Sequence, residues 1–147
     1  MAKIIVTGAA GFIGSNLTKA LLARGDEVLA VDNFNNFYDP VIKRRNALGF
    51  GSHENCQLLE ADIRDRMAME KAFQNFQPNA VMHLAAWAGV RPSLQQPEVY
   101  VDNNVNGTTT LFEVAKNFKN LRFVMASSSS VYGGCNEAPF KESADVD

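Results

Sequence analysis

Apolar segments of strand length alternate along the chain with segments that carry apolar residues at helical spacing. The runs Ile4 to Val6 and Val28 to Val31 are continuous, which indicates strands buried on both faces. Strands that alternate with helices predict an α/β domain, in which helices cover a parallel sheet. The predicted strands are Lys3 to Val6, Glu27 to Val31, Gln57 to Ala61, Ala80 to Leu84 and Leu121 to Ala126.

Three helical faces lie between these strands, and each is expected to cover the sheet. They comprise Ile13, Leu17, Ala20 and Leu21; then Met69, Ala72, Phe73 and Phe76; then Val101, Val105, Thr108, Phe112 and Ala115. A further helix is predicted to begin at Pro40 and to end at Gly49 to Gly51, because proline suits a first helical turn and glycine follows helix ends. Residues 133–147 show no clear period and predict a connection.

Composition indicates a globular protein without a basic or membrane-binding character. The 147 residues, 46% of them hydrophobic, predict one domain over 1–147 and no second domain of the usual size. The net charge of −2 excludes the basic footprint expected for a nucleic-acid or anionic-membrane partner.

The cysteines and the apolar runs indicate the cellular compartment in which the protein is expected. Cys56 and Cys135 form neither a disulfide framework nor a zinc-binding pair, so we expect no metal site and a reducing, cytoplasmic setting. The N-terminal apolar run is too short for a signal peptide, and Ala80 to Val90 is interrupted by His83 and cannot span a bilayer.

Three glycines occupy the segment Thr7 to Gly14, between the first predicted strand and the first predicted helix. Gly8 is expected to make a tight turn, Gly11 to let a phosphate approach the backbone, and Gly14 to let the helix pack on the strand. Glycine-rich turns are also common for structural reasons alone. The flanking strand and helix are what make this one indicate dinucleotide binding.

Asp32 ends the second predicted strand. A carboxylate there can accept hydrogen bonds from both ribose hydroxyls of an adenosine and repels a 2′-phosphate, which favours NAD over NADP. The alternative is an aspartate that only caps the turn before Asn33. The nearby cationic run Lys43 to Arg45 is interpreted as a solvated helix face.

Other candidates follow the third and fourth predicted strands, at the edge where such sheets bind ligands. Asp62 and the backbone of Ile63 suit an adenine ring, although Asp62 also suits a turn. His83 is interpreted as a core histidine rather than a catalytic base. In the loop that follows, Arg91 could clamp a phosphate or carboxylate, with Ser93 as a further donor, or form an ordinary surface ion pair.

A run of hydroxyls, Ser127 to Ser130, follows the fifth predicted strand. A serine there could hydrogen-bond a sugar hydroxyl or a ketone, but it needs a base partner for chemistry. No serine-hydrolase arrangement accompanies it, since the chain has neither a nucleophile elbow nor a matching histidine and aspartate set.

Taken together, these motifs resemble the extended short-chain dehydrogenase/reductase family and, within it, the nucleotide-sugar epimerases. The resemblance covers essentially the whole chain, and it is carried by Thr7 to Gly14, Asp32 to Asn35, Asp62 and Ile63, His83 to Ala86, Asn103 to Gly107 and Ser127 to Gly133. The stretches Asp32 to Arg45 and Ala88 to Tyr100 look most like UDP-glucuronate 4-epimerases. This resemblance implies a Rossmann-like, doubly wound parallel sheet of about five strands in the order 3-2-1-4-5, incomplete relative to the family.

The resemblance also implies NAD as cofactor and a UDP-sugar as substrate, in a family that commonly forms homodimers. The implied NAD contacts are Gly8, Gly11, Phe12, Ile13, Gly14, Asp32, Asn33, Asn36, Asp62, Ile63, Leu84, Ala85, Ala86, Ala88 and Asn103. The implied substrate contacts are Gly89, Val90, Arg91, Ser93, Ser129 and Ser130. Ser128 matches the family's catalytic serine or threonine.

The sequence departs from the family at the catalytic tyrosine. In the family, a tyrosine acidified by a lysine four residues later takes the proton from the sugar 4-hydroxyl as hydride passes to NAD, and the 4-ketone then takes the hydride back on its other face. The tyrosines here are followed at that distance by other residues, Tyr38 by Ile42, Tyr100 by Asn104 and Tyr132 by Asn136. We therefore expect the NAD-binding N-terminal portion of a 4-epimerase, without its C-terminal substrate domain and inactive by itself.

Other functions stay open on the sequence. A non-catalytic NAD-binding sensor or assembly domain is favoured by the missing tyrosine, whereas the Arg91 to Ser93 loop favours an epimerase ancestry. A decarboxylase, another epimerase or a truncated product without a role is also compatible with these residues. Another extended short-chain dehydrogenase, such as a nucleotide-sugar dehydratase, is a further alternative. A 4,6-dehydratase is the less favoured form of it, because it needs an acidic residue in the region of Ser129 and Ser130.

Overall fold

A five-stranded, wholly parallel sheet in the order β3-β2-β1-β4-β5 forms the centre of the protein. The computed structural model describes residues 1–134 and 138–146, so residues 135–137, which include Cys135 and Asn136, and residue 147 lie outside the described residues. The strands are β1 (Lys3–Thr7), β2 (Glu27–Asp32), β3 (Cys56–Glu60), β4 (Ala80–His83) and β5 (Arg122–Met125). The predicted strands and their order are thus confirmed, with ends that shift by one residue.

Helices cover both faces of this sheet. They are α1 (Phe12–Ala23), α2 (Pro40–Leu48), α3 (Arg66–Phe76), α4 (Val90–Gln95), α5 (Pro97–Tyr100) and α6 (Gly107–Ala115). A π-helical turn, Val101–Asn106, joins α5 to α6, and a 3₁₀ turn, Ser129–Tyr132, follows β5. Within the described ranges no helix has the length and apolar character needed to cross a membrane.

The core lies in two layers because successive residues of a strand point to opposite faces. Ile4 and Val6 of β1 pack in one layer with Leu21 of α1, whereas Ile5 packs in the other with Phe73 of α3. Burial on both faces accounts for the continuous apolar run in β1.

Helix α1 meets the sheet through smaller residues than its apolar spacing predicts. Ile13 is 65% exposed and Ala20 is exposed, so the predicted face is wrong at these positions. The buried positions are Gly14, Ser15, Thr18, Leu21 and Leu22. A Cβ added at Gly14 would lie 2.0 Å from the Gly8 carbonyl oxygen, so the first turn of α1 packs directly on the preceding loop and position 14 has no room for a side chain.

The predicted apolar face is buried in α3 but only partly buried in the segment 101–115. In α3, the predicted residues Met69, Ala72, Phe73 and Phe76 are all buried, as expected. In the segment 101–115 the prediction is wrong at Val101, Val105 and Phe112, which are 52%, 56% and 45% exposed. The π-helical turn contains more residues per turn than an α-helix and so rotates another set toward the sheet. That buried set is Asn103, Gly107, Leu111, Val114 and Ala115.

Candidate functional site

An open cavity of about 280 Å³ lies at the carboxyl ends of β1, β2 and β4. The strand order reverses between β1 and β4, which is where doubly wound sheets bind ligands. Of the predicted cofactor contacts, the cavity is lined by Gly8, Gly11, Phe12, Ile13, Gly14, Asp32, Asn33, Ile63, Leu84, Ala85, Ala86 and Asn103. Three predicted contacts, Asn36, Asp62 and Ala88, are not in its lining.

The glycine turn brings the backbone of β1 against the segment after β4. Gly8 has a φ of +67°, and a Cβ there would lie 2.8 Å from the Ala85 nitrogen. Gly11 is the N-cap of α1, and a Cβ at Gly11 would lie 3.1 Å from the Gly8 carbonyl oxygen. The loop is therefore packed so closely that it leaves its backbone, rather than side chains, on the cavity wall.

The N-terminus of α1 lacks a capping side chain. Asp39 caps α2 and Asp65 caps α3 through hydrogen bonds from backbone N–H groups, but no such bond from a side chain is present at Gly11 of α1. The first N–H groups of a helix have no partner within the helix, and the helix dipole favours negative charge there. Because Phe12 and Ile13 line the cavity, this end of α1 is suited to an anionic group.

Asp32 is both a turn residue and a wall of the cavity. The residue is 6% exposed. Its Oδ2 accepts a hydrogen bond from the Ala10 nitrogen at 3.0 Å, and its Oδ1 accepts one from the Phe34 nitrogen at 2.8 Å. The two amides hold the carboxylate in place, and its remaining lone pairs can still accept further bonds.

Lys43 is buried, which contradicts its interpretation as part of a solvated face. It is 6% exposed, its Nζ donates to Asn35 Oδ1 at 2.7 Å, and Nζ lies 3.9 Å from Asp32 Oδ1. Burial lowers the pKa of Lys43, and the charge of Asp32 opposes that effect. The reason for the burial is helical spacing, since Lys43 and Ala47 are the two buried residues of α2 and lie one turn apart.

The other cations of this run remain on the outside. Arg44 makes a bidentate pair with Glu60 at 2.5 and 2.6 Å, and its guanidinium lies 3.7 Å from the centre of the Phe34 ring. Arg45 is exposed. The burial of Lys43 was therefore not predicted from the sequence. Its position one helical turn before the apolar Ala47 was the feature that could have indicated it.

Asp62 supports the cavity from outside its lining. Its Oδ2 accepts a hydrogen bond at 2.8 Å from the Nδ2 of Asn33, which lines the cavity. The side chain of Arg64 lowers the pKa of Asp62 to about 2, and Arg64 also pairs with Asp102. Asp62 also stabilises a turn, because its side chain accepts a hydrogen bond at 2.9 Å from the backbone nitrogen of Arg64.

An aromatic group on one side of the cavity was not found from the sequence. The chain's single tryptophan, Trp87, lines the cavity together with Phe37 and Tyr38, and its ring lies 5.2 Å from Phe37 and 5.9 Å from Tyr100 between centroids. Its buried Nε1 has no hydrogen-bond partner in the described part of the chain. Isolated aromatic residues carry no periodic signal, so only the packing of two loops brings them together.

None of the residues predicted to contact substrate is in the lining of the cavity. The segment from Val90 is helix α4, not the predicted loop, because Gly89 turns the chain with a φ of +98° and Pro92 fits a first helical turn. Arg91 is exposed, and Ser93 Oγ donates to the Val90 carbonyl at 2.6 Å.

Ser128, Ser129 and Ser130 are exposed at the end of β5. Ser128 is the N-cap of the 3₁₀ turn, and its Oγ accepts a hydrogen bond from the Ser130 nitrogen at 3.2 Å. His83 is a core histidine as expected, since it is 3% exposed and bonded at both ring nitrogens to threonine hydroxyls. Among the described residues no cluster of His, Cys, Asp and Glu could hold a metal ion.

Comparison with known sequences assigns the chain to a family. The sequence model of the family described as GDP-mannose 4,6 dehydratase matches residues 5–147. The chain belongs to this family.

Its relatives include nucleotide-sugar epimerases, which confirms the resemblance read from the motifs. UDP-glucuronate 4-epimerase of Thermodesulfobacterium geofontis is 43% identical over 147 residues, which are 100% of this chain and 45% of the relative. UDP-glucuronate 4-epimerase 1 of Arabidopsis thaliana is 44% identical over 99% of this chain and 34% of its own length. The chain therefore spans less than half the length of these relatives.

Solved structures of nucleotide-sugar epimerases have the same fold. UDP-glucuronic acid 4-epimerase from Bacillus cereus, in complex with UDP-glucuronic acid and NAD, superimposes with a TM-score of 0.86 at 37% identity, over 99% of this chain and 46% of that one. UDP-glucose 4-epimerase from Stenotrophomonas maltophila, with bound NAD and formylated UDP-arabinopyranose, also has a TM-score of 0.86, at 32% identity, over 100% of this chain and 43% of that one. The Rossmann-like sheet order is thus shared with structures that hold NAD.

Proposed function

We propose that this chain binds NAD in the cavity at the carboxyl edge of its sheet and is the cofactor-binding portion of a nucleotide-sugar 4-epimerase. One observation carries the proposal: the uncapped N-terminus of α1 and the buried carboxylate of Asp32 line the same cavity. The first suits a pyrophosphate and the second suits the hydroxyls of the adenosine ribose.

The residues of the cavity fit such a group along its length. Ile63 and Asn33 lie beside Asp32 on the adenosine side, and the small residues Ala85 and Ala86 border the opposite side, where a flat ring can approach the backbone. Bound NAD would supply the hydride acceptor and donor, while the chain binds and orients it. The solved relatives from two bacteria, which contain NAD, support this assignment.

For the substrate we propose a UDP-glucuronate or UDP-galacturonate type of sugar. The identity to UDP-glucuronate 4-epimerases over the whole chain supports this class. Arg91 offers a guanidinium, and a guanidinium pairs with a sugar carboxylate or a diphosphate through paired N–H donors. Ser128 is assigned to hydrogen-bond the reacting sugar oxygen, with the remaining substrate contacts from Gly89, Val90, Ser93, Ser129 and Ser130.

We further propose that the 147 residues do not epimerise by themselves. No tyrosine of the chain precedes a lysine by four residues, so the proton acceptor that the resemblance requires is missing. Incubation of the purified chain with NAD and UDP-glucuronate should give no UDP-galacturonate above a protein-free blank. Turnover at any rate above that blank would contradict this part of the proposal.

Calorimetric titration with NAD tests the binding function. We expect saturable NAD binding, at least tenfold weaker binding of NADP, and a loss of roughly 10- to 100-fold in affinity for Asp32→Asn, since a charge-assisted hydrogen bond contributes about 1.5–3 kcal/mol. Glu54→Gln is the matched control, because it removes one carboxylate charge from an exposed loop away from the cavity.

The titrations with wild type, Asp32→Asn and Glu54→Gln distinguish a working NAD site from a chain that does not bind NAD. Wild-type affinity in the control and reduced affinity in Asp32→Asn support the assigned adenosine site. No heat of NAD binding from a chain that circular dichroism shows to be folded would overturn the binding proposal.

A further inference from the structure

A chain of side-chain hydrogen bonds runs behind the cavity and joins three elements. The hydroxyl of Thr7, at the end of β1, lies 2.7 Å from Nδ1 of His83, at the end of β4. Nε2 of His83 lies 2.9 Å from the hydroxyl of Thr108 in α6, and this hydroxyl lies 2.6 Å from the carbonyl oxygen of Asn104. The array lies in the interior, with Thr7 fully buried and His83 3% exposed.

The partners determine where each proton lies. The Asn104 carbonyl can only accept, so the Thr108 hydroxyl donates its one proton to it and must accept from His83 Nε2. A neutral imidazole with its proton on Nε2 has a bare Nδ1, which accepts from the Thr7 hydroxyl. Every group in the array then has a partner of the right kind.

The same array holds the cavity wall formed by residues 84–87. The Thr7 hydroxyl oxygen accepts hydrogen bonds from the backbone nitrogens of Leu84 at 3.2 Å and Ala85 at 3.3 Å. At the other end of the wall, the Asn104 amide side chain accepts from the Trp87 nitrogen at 2.8 Å and donates to the Trp87 carbonyl at 2.9 Å. Thr7 therefore fixes one end of the wall and Asn104 the other. His83 joins these two residues, directly to Thr7 and through Thr108 to Asn104.

We propose that His83, neutral and with its proton on Nε2, is a positioning residue for bound NAD, which keeps the wall 84–87 at its distance from the glycine turn. The inference rests on the proposed function. The glycine turn and the wall cannot move closer together, since a Cβ at Gly8 would already lie 2.9 Å from the Leu84 carbonyl carbon and from the Ala85 Cα. His83 acts through the backbone that it positions, and its burial keeps it from exchanging protons with a ligand.

The first test determines which ring nitrogen of His83 carries the proton, and it uses the wild-type chain. Nitrogen-15 NMR of the ligand-free chain at neutral pH should show His83 Nε2 protonated and Nδ1 unprotonated. A proton on Nδ1, or an imidazolium, would overturn the inference. Either one removes the acceptor of the Thr7 hydroxyl proton, and the Nδ1-protonated form also leaves the bare Nε2 facing a Thr108 oxygen whose proton is donated to Asn104.

The second test measures the consequence for NAD. Thr108→Val keeps the shape of the side chain and removes the acceptor of the His83 Nε2 proton, so we expect NAD to bind about fivefold more weakly. Thr108→Ser should restore wild-type affinity. Thr109→Val is the matched control, because Thr109 makes the same kind of bond to a helical carbonyl, at 2.8 Å to Val105, on the exposed side of α6.

The results distinguish this inference from the function on which it rests. If wild type does not bind NAD, the proposed function fails and the inference fails with it. If wild type binds NAD and folded Thr108→Val binds it equally well, or Thr109→Val weakens binding as much, the inference alone is overturned. Should Thr108→Val not fold, the ring-nitrogen experiment still decides the inference.

Discussion

At the scale of single residues, burial changes what a side chain can do. The His83 imidazole is 3% exposed, and burial lowers its pKa from 6.5 to about 4. Lys43 is buried as well, but it keeps Asn35 and Asp32 as partners for its ammonium group. Both residues support the cavity from within the protein, and the sequence identifies His83 as a core residue only from its place in an apolar strand.

His83 predicts how stability depends on pH. Between pH 6.5 and about 4 the unfolded chain binds a proton at this residue and the native chain does not, so the free energy of unfolding falls as the pH is lowered. We expect His83 to account for about 2 kcal/mol of this loss between pH 6.5 and 4.5. Urea unfolding at a series of pH values measures it.

The matched variants are His83→Gln and His53→Gln, which remove the two histidines of the chain one at a time. The His83 variant should lose less stability than wild type over this interval. His53 is exposed, and its variant should keep the wild-type slope. Equal slopes in all three proteins would contradict the buried, neutral state of His83.

At the scale of elements, the approach of α1 to the glycine turn shapes the site. Asp39 and Asp65 cap the neighbouring helices α2 and α3, whereas the first turn of α1 begins at Gly11 without such a cap. The helix can sit close enough to present its backbone only because Gly14 has no side chain.

Gly14→Ala tests this packing. The new Cβ would lie 2.0 Å from the Gly8 carbonyl oxygen, a backbone atom, so the helix or the turn must move. We expect a loss of about 3 kcal/mol or more in the free energy of unfolding, measured by chemical denaturation. Gly134→Ala, where a Cβ would meet nothing within 4 Å, should change stability by less than about 0.5 kcal/mol. An unchanged Gly14→Ala protein would show that α1 does not approach this closely.

At the scale of the whole molecule, three residues of the apolar face predicted for residues 101–115 are exposed, whereas Ala115 is buried. Val101, Val105 and Phe112 are 52%, 56% and 45% exposed along one helical segment. Exposed apolar residues that share one side of an element are typical of an interaction surface. These three exposed residues lead us to expect self-association of the chain through the segment 101–112.

Sedimentation velocity measures this association. We expect dimers of the wild-type chain in the micromolar range and a monomer for Val105→Asp, because a buried, unpaired carboxylate disfavours the interface. Val41→Asp is the control, since Val41 is 71% exposed on α2 and should leave the association unchanged. A wild-type chain that stays monomeric at high concentration would refute this expectation.

The sequence by itself determined the alternation of strands and helices, the helix at Pro40 and the positions of the glycine turn and Asp32. These features depend on local chemistry: apolar runs, helical spacing and turn residues within a few positions of one another. The tertiary structure alone decided which face of residues 101–115 meets the sheet, because a π-helical turn alters the helical period. It also decided that Thr7, His83 and Thr108 form one array, since residues so far apart in the chain meet only when β1, β4 and α6 pack together.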